Sequence, residues 1–69
     1  MGIEKHIQVT GTSTISWKDA IVKTIETASE TINYITSVRV LDQRAKVTGS
    51  EMTEYFADLD ITFLVTPEQ

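Results

Sequence analysis

Asp58 and Asp60 stand two positions apart in an alternating run near the C-terminal end of the chain. On an extended strand that spacing puts both carboxylates on one face, about 7 Å apart. Their oxygens suit a hard divalent cation such as calcium or magnesium, although two carboxylates from one strand fall short of a closed site unless symmetry-related chains add more. The same residues can instead form a solvated face or partner Arg39, Arg44 or Lys46 across a hairpin. His6, the only histidine, has no serine, cysteine or carboxylate motif beside it in sequence. It reads as a surface or interface histidine rather than a catalytic one.

Nucleophilic catalysis has little to build on. The serines and threonines gather at turns and helix caps, where bonding to the backbone already accounts for them. There is no glycine-rich phosphate loop and no metal-ligand spacing of the zinc or EF-hand kind. Trp17, the only tryptophan, falls at the first position of a helical pattern, where its side chain can close one end of a core or pack in an interface. These residues support a protein that binds rather than an enzyme.

The elements that position these groups follow from periodicity. Residues 3 to 10 read as a strand, with Ile3, Ile7 and Val9 on one parity and Glu4, His6, Gln8 and Thr10 on the other. Gly11 and the Thr/Ser-rich stretch to residue 15 break that pattern. Ser16-Trp17-Lys18-Asp19-Ala20 then opens a helix, with Ser16 as cap and Asp19 placed to reach back in a capping box. Trp17, Ala20, Ile21, Ile25, Ala28 and Ile32 form one stripe at spacings of three and four, which predicts a helix ending near residues 32 to 34. Asp19 and Lys23 form an acid-before-base i,i+4 pair on the opposite side.

Residues 35 to 47 return to a period of two. Val38 and Val40 fall on one side, and Ser37, Arg39, Leu41, Gln43, Ala45 and Val47 on the other. Thr48-Gly49-Ser50-Glu51 supplies a hairpin turn. Residues 52 to 65 then alternate cleanly, with Tyr55, Ala57, Leu59, Ile61, Phe63 and Val65 facing one way, and Pro67 closes the strand. The pattern is β-α-β-β in one domain over residues 1 to 69, an α+β fold with the helix laid on the sheet's apolar face. Phe56, Leu64, Leu41 and Val47 are expected on the face away from the helix, where a lone chain leaves them in water and an oligomer buries them.

Length and charge bound the partners. A chain of 69 residues with no cysteine has neither disulfides nor a thiolate metal site to support its small core, so self-association is the expected support. The net charge of −4 and the scattered basic residues argue against nucleic acid. No apolar stretch approaches the roughly 18 residues of a membrane span, and no signal-peptide pattern is evident, so a soluble, cytoplasmic protein is expected.

The chain resembles the dodecin family of small flavin-binding proteins. The resemblance rests on Gly11-Thr12-Ser13, Ser16-Trp17-Lys18-Asp19-Ala20, Ala28-Ser29-Glu30-Thr31, Val38 through Arg44, and Glu54-Tyr55 ahead of Phe63, in this order and across nearly the whole length. It implies a three-stranded antiparallel sheet wrapped round one helix and a hollow homo-dodecamer. It also implies flavin (riboflavin or FMN) stacked in pairs on a tryptophan of strand two and hydrogen-bonded by a glutamine of strand three, held without turnover. The implied ligand positions here are Ser37, Gln43, Arg44 and Phe56. Ser37 falls where the tryptophan is expected and offers no ring to stack on, and Phe56 falls on the glutamine position and cannot hydrogen-bond. Arg44 matches a position that often carries a basic residue near the ligand and can attract an anion. By parity Ser37 and Phe56 share a face and could meet in one pocket, where Phe56 either takes over stacking or seals the site; weakened or absent flavin binding is expected. Some members that lack the tryptophan are regarded as calcium-binding dodecins, which would give Asp58 and Asp60 a metal to hold.

Overall fold

A computed structural model describes residues 2–65. Strand β1 (Ile3–Ser13) is followed by helix α1 (Trp17–Ala28), then by the long antiparallel hairpin of β2 (Ile35–Thr48) and β3 (Glu51–Val65). The sheet order is β1-β3-β2, so the last strand is central. Pro67, the expected strand terminator, lies outside the described residues. No helix among them is long and apolar enough to cross a membrane.

Antiparallel partners share a face, and Val9 with Leu59 and Gly11 with Ala57 put the odd residues of β1 and β3 under the helix. Ala20, Ala57, Leu59 and Ile61 are fully buried, with Val9, Ile21, Ile25, Ala28 and Ile35 packed around them. Gly11 belongs to this packing rather than to a break, because β1 runs on to Ser13. A Cβ on Gly11 would collide with Thr24 Oγ1 and stand 2.9 Å from the Ala20 carbonyl oxygen. The absent side chain lets α1 settle onto the strand.

The helix cap forms with one change. Ser16 Oγ accepts from the Asp19 amide at 3.0 Å, while the Asp19 carboxylate accepts from Ser13 Oγ at 2.6 Å rather than from the Ser16 amide. Ser13 Oγ in turn accepts from the amides of Ile15 and Ser16. A hydroxyl at the end of β1 thus links strand and helix start.

The helix ends at Ala28, not at residues 32 to 34. The Ser29 amide donates to the Ile25 carbonyl and Ser29 Oγ to the Glu26 carbonyl, while the Glu30 and Thr31 amides make tight i→i+3 bonds. These bonds satisfy the terminal carbonyls, and a run of Ser and Thr has little propensity to carry the helix further. Tyr34 then takes a left-handed φ of 63°, and its carbonyl accepts from the Leu64 amide at 2.9 Å. Gly49, at φ 66°, makes the expected hairpin turn.

The face assignment of β2 changes halfway along. Val38 and Val40 lie opposite Ile61 and Leu59 on the helix side as expected, but a bulge between Val40 and Asp42 makes Leu41 an extra residue. Beyond it, Gln43 opposes Ala57 and Ala45 opposes Tyr55, so both lie on the helix side rather than with Ser37, and Val47 follows Ala45. Arg44 and Lys46 turn outward, opposite Phe56 and Glu54. Phe56 and Leu64 keep the outer face, both half-buried. A one-residue insertion reverses every side chain after it.

The body measures 55 × 19 × 13 Å with a radius of gyration of 14.3 Å. A compact chain of this length would have about 11 Å. The helix packs on β1 and β3. The helix-side residues Val38 and Val40 of β2 are left 37% and 41% exposed, and Ile15, Val47 and Met52 more so.

Gly11→Ala is expected to lower stability by about 1–3 kcal/mol in chemical denaturation, because the added methyl overpacks the helix contact. Adding Thr24→Ala should recover only part of the loss, since the Ala20 backbone oxygen stays in place. Full recovery would show that the helix is free to shift.

Candidate functional site

The outer face of the sheet carries the polar chemistry. Asp58 on β3 lies opposite Thr10 on β1 and Asp42 on β2. Thr10 Oγ1 donates to Asp58 Oδ1 at 2.7 Å, and Arg44 reaches the same carboxylate with Nη2 at 3.2 Å and Nε at 3.4 Å. The Arg44 guanidinium also lies over the Phe56 ring, 4.9 Å from its centroid. Asp42 Oδ1 accepts from the Gln43 amide at 2.9 Å, a local bond that steadies the bulge. Two residues along β3, Asp60 Oδ1 meets His6 Nδ1 at 2.8 Å.

This arrangement decides several expectations. Arg44 and Phe56 meet, each held by the other. Ser37 pairs with Thr62, six residues along β3 from Phe56. That is about 20 Å at the strand rise. Within one chain, therefore, Ser37 and Phe56 do not share a pocket, although both are on the outer face. Gln43 faces the helix side because of the bulge, away from the other three. Asp58 and Asp60 do project from one face, and each already has a protein partner: Asp58 the expected Arg44, and Asp60 the histidine. No group of three or more His, Cys, Asp or Glu side chains suited to a metal forms among the described residues.

His6, Thr10 and Asp42 are the outer-face residues that periodicity alone did not bring to Asp58 and Asp60. Thr10 and His6 lie 48 and 54 positions from their aspartates. Only the pairing of β1 with β3 unites them, and the one available signal was the shared polar parity of His6, Gln8 and Thr10. A depression of about 430 Å³ beside this cluster is lined by Gln8, Thr10, Leu41, Asp42 and Asp58, together with Val9 and Leu59. The larger groove, about 500 Å³, runs between β1 and α1 with Lys23 as its one charged lining residue. Its other polar lining is threonine, with no carboxylate.

Trp17 supports this region from the opposite side. Its Nε1 donates to the Arg44 carbonyl at 3.0 Å, and its ring meets that of Tyr55 edge to face, with centroids 4.9 Å apart and planes at 74°. The packing role expected for it is present, with a hydrogen bond added.

The hydrogen bonds from Thr10, then those from Arg44, hold the Asp58 carboxyl below its ordinary pKa; desolvation opposes them and the Arg44 charge adds to them. A group depressed in this way stabilises the fold above its unfolded pKa, and the contribution disappears as pH falls through the lowered value. Asp58→Asn should therefore lower the melting temperature at neutral pH, with the gap to the parent protein narrowing below about pH 4. A gap that stays constant down to pH 2.5 would remove Asp58 as the responsible group.

The Dodecin family model matches residues 3–66. The calcium dodecin of Mycobacterium tuberculosis is 29% identical over 69 residues, covering 100% of this chain and 97% of that protein. Its crystal structure, described as having a novel calcium-binding site, aligns with a TM-score of 0.81 at 28% identity over 97% of this chain and 96% of that one. A Thermus thermophilus dodecin variant aligns at 0.91 with 20% identity, covering 99% and 100% of the two chains. The dodecin of Streptomyces davaonensis aligns at 0.89 with 18% identity, covering 96% and 97%. With its β-α-β-β order, central third strand and single helix on the sheet, the chain belongs to the dodecin family.

Proposed function

We propose that this protein is a non-enzymatic homo-dodecameric shell that binds and buffers a small ligand between its subunits, and that its affinity for flavin is weakened or lost. The observation that carries the reading is the Arg44 guanidinium over the Phe56 ring while paired with Asp58. The ring face and the cation that a flavin or its phosphate would use are engaged with each other. Ser37 supplies no stacking surface in compensation. Losing one good aromatic stack costs about 1–3 kcal/mol per ring, roughly a ten- to hundredfold loss of affinity.

Assembly rests on the small core and on the exposed helix-side residues of β2. Four fully buried residues are few for a chain of this length, and neighbouring copies covering Val38 and Val40 supply the missing burial. A cytoplasmic setting accords with this reading.

Cation binding is the second reading, favoured by the likeness to calcium dodecin. Asp58 and Asp60 are the proposed ligands. Within one chain their oxygens are held by Thr10, Arg44 and His6. Calcium would have to displace those partners or draw on carboxylates from another subunit, so modest affinity is expected.

Light scattering should give about twelve chains of 7.7 kDa, roughly 92 kDa. A single-chain mass would overturn both readings, since each site is shared between subunits. In a riboflavin titration the parent protein is expected to quench flavin fluorescence weakly or not at all, and Ser37→Trp with Phe56→Gln to quench strongly. An intact assembly that gains nothing from the double change would sink the assignment of those positions. Calcium at millimolar concentration should raise the melting temperature of the parent protein but not of the Asp58→Asn, Asp60→Asn variant, because a ligand selective for the native state must stabilise it. No shift in the parent would end the cation reading.

A further inference from the structure

Arg44 lies in a short segment of β2 bounded by irregularities on both sides, between Val40 and Asp42 and between Lys46 and Val47. Strand β2 is an edge strand, paired only with β3, and α1 packs on the other two strands. A slip of one residue in this segment would send Arg44 to the helix side and Gln43 or Ala45 to the outer face. The pairing needs a further restraint, and Trp17 is placed to supply it. Its indole N–H is donated to the carbonyl of Arg44, the residue opposite Phe56, and its ring packs on Tyr55, the residue before Phe56. One side chain from the start of α1 therefore touches both strands at adjacent rungs, Arg44–Phe56 and Ala45–Tyr55.

We infer that Trp17 is a positioning residue that holds the bulged segment of β2 in the pairing that sets Arg44 against Phe56 and Asp58 on the outer face. The ligand-facing side of the sheet is thus set from its helix side. Ser16 and the Ser13–Asp19 hydrogen bond fix where α1 begins, and the indole carries that placement across to β2. The functional consequence rests on the proposed ligand role of Arg44; the structural coupling does not.

The chain has two arginines, Arg39 and Arg44, so a protein labelled with nitrogen-15 arginine gives two side-chain Nε–H resonances, which Arg39→Lys assigns. The Arg44 resonance is expected to be displaced by the Phe56 ring current and to lose that displacement in Phe56→Leu. Trp17→Phe should abolish it as well, while Ile25→Val, which loosens the core elsewhere, should leave it in place. Should Trp17→Phe fail to fold, replacing the one tryptophan with its benzothienyl analogue removes the N–H and keeps the shape. An unmoved Arg44 resonance in either substitution overturns the positioning role. Riboflavin or calcium binding with an unmoved resonance would overturn that role alone, and a displaced resonance in a protein that binds neither would overturn the ligand reading alone.

Discussion

The close seating of α1 on the middle of the sheet governs the rest of this structure. At Gly11 the helix backbone and Thr24 occupy the space that any side chain would need. That contact brings Ala20 onto Ala57, Leu59 and Ile61, with which it forms the fully buried hydrophobic cluster among the described residues. Small residues at the contact permit a short separation, and a short separation buries few atoms. The outcome is a thin interface whose stabilisation is limited by area.

A helix of 12 residues cannot cover strands of 11, 14 and 15. It rests on β1 and β3, and Val38, Val40 and Val47 of β2 stay open. The long hairpin also carries Val47 and Met52 beyond the helix. Such a body is incomplete in physical terms, and its uncovered strip has the same alternating apolar character as the covered one.

The outer face is held by a different kind of force. Thr10, Asp58, Arg44 and Phe56 come from all three strands and stitch them with directional contacts in a partly exposed setting. Each contact is individually weak because solvent screens it, yet together they consume the groups that would otherwise be free to grip a ligand. Much the same holds for Asp60 and His6. Binding at this face would require exchanging internal partners for external ones, a different situation from an open, pre-formed pocket.

The order of elements, the helix start at Ser16, the turn at Gly49 and the inward faces of β1 and β3 were legible in the residues alone, because each is a local signal of period, cap or turn. The chain also carried enough scaffold residues, from Gly11-Thr12-Ser13 to Glu54-Tyr55, to reveal the family. The end of α1 was not legible, since the apolar stripe runs on to Ile32 while Ser29 ends the helix by bonding its carbonyls. That Gly11 is a packing residue rather than a break depends on how near the helix comes, which no local pattern reports. Pairing across 48 and 54 positions brought Thr10 and His6 to the aspartates. The Leu41 bulge sent Gln43 inward and Arg44 outward, and strand alternation cannot foresee an extra residue that the partner strand forces out. Periodicity reports which side a residue prefers, whereas strand pairing decides what it meets there.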